Sequence, residues 1–464
     1  MIAGAVLSPH PPLIIPEIGG TRLQEVEPTI DGMSNMARAV AALQPDNLIF
    51  ITPHGNAFSD IITCLGENYL EEDLSAFGLR RKGISYKNDL KLLNEIKRLS
   101  LKAGIELAVI DNQLAKAYRL NPKLDHGVAV PLYYLRQAGL KDIPLIAFTP
   151  GYLPVNTLYR FGALIKEASN NLGKRTVIIA SGDMSHRLTN DGPYDYHPDG
   201  PVFDQTVKSL IEIGDIRGIL DIPEKLRDNA GQCGYFSLVI MLGALDGREF
   251  ESRVFSYEGP FGVGYLTAVF IPRGETASYL EEMARRAKQE IASKRLNESK
   301  PVKWARMTLE NYIKTGKLPN LPLELQDLRQ TRAGVFVSIK KQGRLRGCIG
   351  TLEPVHDNLA AEIQSNAISA GTRDPRFSPV GENELDDLVY SVDILSPSMA
   401  CRKEDLDPKK YGVIVSHGNK KGVLLPDLEG IDTVEEQLAI ALQKAGIKDN
   451  AGYRIERFEV RRYS

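Results

Sequence analysis

The sequence predicts two folded units: an α/β domain with a mostly parallel sheet over residues 1–273, followed by an α+β domain over 276–464. Three observations lead there. As far as about Arg273, short β-branched runs alternate with longer helix-like segments, the pattern of βαβ units whose sheet is covered by helices on both faces. Pro272-Arg273-Gly274-Glu275 then interrupts the alternation, and an Ala/Glu/Lys/Arg-rich stretch follows. At 464 residues the chain also exceeds what one hydrophobic core usually organises.

Taken in order, the expected strands of the first domain are 3–7, 47–52, 105–110, 144–148 and 176–180, each a short apolar run bounded by turn residues. Between them, 32–42, 87–103, 130–137, 155–171 and 234–245 carry helical spacing. The runs 253–257 and 264–271, separated by Glu258-Gly259-Pro260-Phe261-Gly262, read as a hairpin-like edge. The second domain opens on an amphipathic helix, 277–296, rich in strong helix formers. A strand at 334–339, a turn at Gln342-Gly343, a helix at 357–370, a strand at 388–394 and a helix at 433–445 complete it.

Composition narrows the function classes. With 57 basic and 59 acidic residues the net charge is -2, so nothing advertises a nucleic-acid or acidic-lipid partner. Cys64, Cys233, Cys348 and Cys401 form no CxxC and are widely spaced, which argues against a disulfide scaffold and leads to the expectation of a cytoplasmic protein. Residues 1–16 lack a basic n-region and are broken by Pro9, Pro11, Pro12 and Pro16, unlike a signal peptide. The longest apolar stretch, 235–245, is too short to span a bilayer, so no membrane association is expected.

Chemistry concentrates at strand ends. Val6-Leu7-Ser8-Pro9-His10 and Phe50-Ile51-Thr52-Pro53-His54 each finish an apolar run with Ser/Thr-Pro-His, and 177–181 leads into Gly182-Asp183-Met184-Ser185-His186. Open α/β sheets bind ligands just beyond the carboxyl ends of their strands. A histidine held there by a preceding proline is well placed to be a metal ligand, and neutral imidazole suits iron, zinc and copper. Asp125 is expected to cap the following helix and hold His126 at its start, facing the same crevice. His197 reads as a solvated loop histidine, while His356 and His417 have no evident partner.

The segments SPHPPL, TPHG, LDHGVAVPL and SGDMSH, in this order over about the first 270 residues, resemble the LigB-type class III extradiol dioxygenases and their Memo-like relatives. The resemblance implies that His10 and His54 bind a divalent metal, Fe(II) first with Zn or Cu as alternatives. It also implies that His126 and His186 act as acid/base or substrate-orienting groups on a small aromatic or peptide-like substrate. Ring-cleaving members supply a glutamate as third ligand at the start of a late helix; here that place reads Ala230-Gly231-Gln232-Cys233-Gly234. Cys233, as in the Memo-like branch, and Glu258, at a strand end, both remain candidates. A thiolate favours zinc or copper more than a carboxylate does and is easily oxidised.

In the second domain, Arg344-Leu345-Arg346-Gly347-Cys348-Ile349-Gly350-Thr351-Leu352-Glu353-Pro354 is the densest motif, with Ser369-Ala370-Gly371-Thr372-Arg373-Asp374-Pro375-Arg376-Phe377 as a second polar cluster that could face it. Arg346, Cys348, Arg373 and Asp374 define the candidate surface. These segments and the terminal Arg457-Phe458-Glu459-Val460-Arg461-Arg462-Tyr463 resemble the AMMECR family. The pairing of the two domains resembles proteins of the AmmeMemoRadiSam system, which implies a radical-SAM protein as partner. The expected activity is a metal-dependent oxidoreductase, with a non-catalytic metal- or peptide-binding module as the alternative.

Overall fold

A computed structural model describes residues 1–79, 83–341, 343–428, 430–448 and 452–464, so Gln342 of the expected turn lies outside the described residues. The chain divides into two compact units, Met1–Glu282 and Met283–Ser464.

The strands of the first unit are β1 (Ile2–Ser8), β2 (Asn47–Ile51), β3 (Ile62–Leu65), β4 (Tyr69–Glu71), β5 (Ser85–Lys87), β6 (Leu107–Ile110), β7 (Leu145–Thr149), β8 (Thr176–Ser181), β9 (Arg248–Glu258) and β10 (Tyr265–Glu275). Eight of them form one sheet in the order β6-β3-β7-β2-β8-β1-β10-β9, while β4 and β5 pair separately. The sheet is mixed but mostly parallel: β6/β3, β7/β2, β2/β8 and β8/β1 run parallel. The pairs β3/β7, β1/β10 and β10/β9 are antiparallel.

The central strands read as continuous apolar runs because helices cover both faces. Alternate residues of β2 enter different cores: Ile49 and Ile51 pack with Phe148, Phe161 and Leu238, while Leu48 and Phe50 pack with Met33, Met36 and Leu132. The helices Val155–Asn171 and Tyr235–Ala244 close the first face; Glu27–Ala42 and His126–Gln137 close the second.

Several expectations change in detail. Residues 272–275, read as a break, continue β10 beyond its pairing with β1 as a bulged extension paired with β9. The helix expected from residue 87 starts at Leu90, where the Asp89 carboxylate accepts from the Leu92 N–H; residues 85–87 are strand instead. The strand β3 and the helices Asp199–Ile213 and Glu224–Ala230 were not expected. A four-residue run such as Ile62-Thr63-Cys64-Leu65 is below the length at which periodicity separates strand from loop.

In the second unit the strands are β11 (Val335–Lys341), β12 (Arg344–Gly350), β13 (Leu388–Leu395), β14 (Met399–Ala400), β15 (Tyr411–His417), β16 (Lys420–Leu424) and β17 (Arg454–Tyr463). Their order is β12-β11-β13-β17-β15-β16 with β14 on β17, all pairings antiparallel. The helices Lys300–Thr315 and Leu359–Thr372 pack over one part of this sheet around Trp304 and Ile363, and Val434–Ala445 over another around Leu438 and Leu442. Among the described residues no helix is long and apolar enough to cross a membrane.

Candidate metal centre

β8 lies between β1 and β2, parallel to both, with Ser8 opposite Ser181 and Ile51 opposite Ala180. The three strands therefore end at one edge of the sheet, and the segments carrying His10, His54 and Asp183 to His186 leave from neighbouring points. His126 enters from the first turn of His126–Gln137, whose N-cap is Asp125 as its sequence position implies. One Asp125 oxygen accepts both from the Gly127 N–H at 2.7 Å and from the Thr52 hydroxyl at 2.7 Å, tying this helix start to the end of β2.

Cys233 precedes Tyr235–Ala244. A Cβ on Gly182 would stand 2.0 Å from the Gly234 Cα, so only glycines let these two loops meet backbone to backbone. The Asp183 carbonyl accepts from Gly234 N at 3.0 Å, and Asp183 N donates to the Cys233 sulfur at 3.2 Å.

The structure brings three histidines into one group: ligand atoms of His10, His54 and His126 all lie within 4.8 Å of one another. His10 Nε2 and His54 Nε2 are 3.0 Å apart. Two nitrogens sharing an ion at about 2.1 Å stand about 3 Å apart, so this spacing fits a common metal. The Cys233 sulfur is 3.7 Å and Asp183 Oδ2 3.8 Å from His10 Nε2. His126 stacks on His54 at a centroid distance of 4.4 Å, with Phe77 edge-on at 5.0 Å. Tyr194 lies parallel to His186 at 6.0 Å.

Electrostatics keep His10, His126 and His186 neutral. Burial, then the neighbouring His54 and His186, holds His10 well below the usual imidazole range. His126 is pushed down to about 3 by burial and then by His10 and His54. Burial also lowers His186, partly offset by the Asp183 charge. Neutral imidazoles offer lone pairs, and a divalent cation relieves the crowding of nitrogen acceptors that protons cannot. His186 Nε2 is buried with no hydrogen-bond partner, which is costly unless a ligand supplies one. The residues present thus fit a divalent metal.

Burial raises the Cys233 thiol, and the adjacent Asp183 raises it further. Glu258 is engaged elsewhere: its carboxylate accepts from the Thr29 N–H at 2.9 Å and from the Thr29 hydroxyl, at the start of Glu27–Ala42.

Two carboxylates went unnamed as candidates in the sequence. Asp183 accepts from the His10 N–H at 3.0 Å, and burial pushes it up to about 6. Asp204 is fully buried, accepts from Ser185 N at 2.7 Å and from the Tyr257 hydroxyl at 2.8 Å, and so steadies the loop bearing Asp183 and His186. The signal for Asp183 was its place inside Gly182-Asp183-Met184-Ser185-His186. Asp204 sits within a helix and gave none. His197 Nδ1 accepts from the nearby Asp199 N–H at 3.1 Å.

In the second unit the two polar clusters do meet, because the Cys348 N–H donates to Asp374 Oδ2 at 2.9 Å. Cys348 sulfur accepts from the Ser338 hydroxyl at 3.1 Å. Arg346 is not free for an anion: it pairs with Glu384 at 2.9 Å and donates to the carbonyls of Ser378 and Pro379. Asp374 pairs with Arg376 at 2.7 Å, which holds its carboxyl well below the usual range, while Arg373 is exposed.

Residues 4–270 match the family described as the catalytic LigB subunit of aromatic ring-opening dioxygenase. The chain belongs to that family. Behind its LigB domain, residues 302–464 match the AMMECR1 family. Enzymes of the LigB family use a metal, and among the described residues of this LigB domain His10, His54 and His126 form a group that could hold one. A protein of Clostridium acetobutylicum is 41% identical over 462 residues, 99% of this chain and 98% of its own, so the likeness runs through both domains. One from Thermotoga maritima is 54% identical over 167 residues, 35% of this chain and 95% of that one. Among solved structures, an uncharacterized protein of Pyrococcus horikoshii covers 35% of this chain and 88% of its own at 30% identity, with a TM-score of 0.32.

Proposed function

We propose that the LigB domain is a metal-dependent oxidoreductase of the extradiol-dioxygenase type, acting on a small aromatic or peptide-like substrate. The observation that carries this reading is the triad of mutually close imidazoles at His10, His54 and His126 beside His186, whose Nε2 is buried and unpartnered. His10 and His54 would hold Fe(II), with Cys233 the better supported third ligand because Glu258 is committed to Thr29. When bound, the metal supplies a Lewis acid that eases deprotonation of a hydroxyl group on the substrate.

Around it the protein's own groups do the proton work. His126 is neutral at physiological pH and half-buried, so it is ready to accept a proton from a substrate hydroxyl; His186, neutral beside Asp183, is the complementary donor or acceptor. Phe77 and Tyr194, 38% and 54% exposed, rim these two histidines and offer faces to a flat substrate. The AMMECR1 domain and a radical-SAM protein, as in the AmmeMemoRadiSam system, are proposed as accessory recognition partners.

A second reading has a specific observation in its favour: Cys233, rather than Glu258, approaches His10. On that reading the site binds a metal or peptide without turnover. Metal content after anaerobic purification, in the wild type and in His10→Ala/His54→Ala, tests the metal; about one equivalent in the first and almost none in the second is expected. Oxygen uptake with Fe(II) and a catechol separates the two readings, since the binding module consumes none.

A further inference from the structure

The helix His126–Gln137 contains Pro131. A proline has no N–H, so the carbonyl four residues earlier, that of Gly127, loses its intrahelical donor. That carbonyl accepts instead from the Ser181 hydroxyl at the end of β8. Ser181 is wholly buried, and its oxygen also lies 2.8 Å from His10 Nδ1. With the hydroxyl proton committed to Gly127, only the oxygen lone pair faces His10, so the imidazole must donate from Nδ1. Reversing the bond would leave the Gly127 carbonyl and the Ser181 oxygen as two buried acceptors in contact, a costly arrangement.

We infer that Ser181 is a positioning residue that fixes His10 as its Nδ1–H tautomer and so presents the Nε2 lone pair to His54 Nε2 and Cys233. The same residue, Gly127, serves both neighbours: its carbonyl takes Ser181, and its N–H goes to Asp125, which also holds Thr52 two residues before His54. One glycine next to His126 thereby links the supports of all three histidines. The consequence for metal binding rests on the metal-centre reading above; the tautomer itself does not.

The test uses the full-length, metal-free protein with 15N-labelled histidine. Long-range proton–nitrogen NMR distinguishes protonated from lone-pair ring nitrogens, and the His10 signals are assigned by their loss in His10→Gln. The wild type is expected to show His10 protonated at Nδ1 alone. In Ser181→Ala the Nε2-protonated fraction should rise severalfold and Co(II) affinity should fall about tenfold or more; Ser181→Thr, which keeps the hydroxyl, should restore both. If Ser181→Ala does not fold, Pro131→Ala takes its place, because a new N–H under Gly127 competes for its carbonyl and should likewise raise the Nε2-protonated fraction. An unchanged His10 tautomer in the folded variant overturns the inference. A wild type with the expected tautomer that takes up no Co(II) overturns the metal reading instead.

Discussion

His10 and His54 were recognisable because Ser/Thr-Pro-His repeats after two apolar runs, yet their chemistry depends on neighbours distant in sequence. Burial and the mutual proximity of imidazoles make His10 and His126 neutral, and neither effect belongs to a local motif. Glu258 shows the converse: a carboxylate at a strand end looked available, and the Thr29 backbone and hydroxyl absorb it. Asp204 gives a residue-scale prediction. Burial, with the Asp183 charge adding and the Ser185 and Tyr257 donors opposing, pushes its carboxyl up to about 7 from 3.8. The folded protein therefore keeps a proton there that the unfolded chain releases near 3.8, so stability falls as pH rises through this window and the loss is complete above about 7. Asp204→Asn retains an acceptor for Ser185 N and should remove that fall, worth at most about 4 kcal/mol. Chemical denaturation of the metal-free protein between pH 4.5 and 8 reads it; parallel pH profiles in both proteins would refute the assignment.

At the scale of elements, the strands at 3–7, 47–52 and 176–180 and the helix at 155–171 were legible because long or strongly apolar segments announce their period. β3 was not, since four residues carry too little pattern, and β10 ran past Pro272 because its pairing with β1 ends at Phe270 and a bulge there tolerates a residue without an N–H. The cap on His126–Gln137 was readable from Asp125, whereas the glycine contact joining the Asp183 and Cys233 loops was not, as it unites positions 182 and 234. Gly182→Ala should thus destabilise the first unit by about 3 kcal/mol, the cost of overpacking backbone against backbone. A lower urea midpoint together with weakened Co(II)–thiolate absorption from Cys233 is the expected result; an unaltered midpoint would mean that the loops part freely.

For the whole molecule, the core residues of each unit come from that unit alone, with Trp304, Val337 and Ile363 at the centre of one core in the second. Residues 283–464 expressed alone should therefore unfold in a single cooperative transition, followed by circular dichroism in urea; a gradual, transitionless change would show that the second unit needs the first. The sequence by itself determined the α/β alternation, the placement of His10, His54 and His186 beyond strand ends, and the cap before His126. These depend on period, proline and capping, which act over a few residues. Only the tertiary structure decided that β8 lies between β1 and β2, that the His126 ring stacks on His54, and that Cys233 approaches while Glu258 is held by Thr29. The physical reason is that strand order and loop contact are set by burial and hydrogen bonding between segments far apart in the sequence, where local preference carries no information.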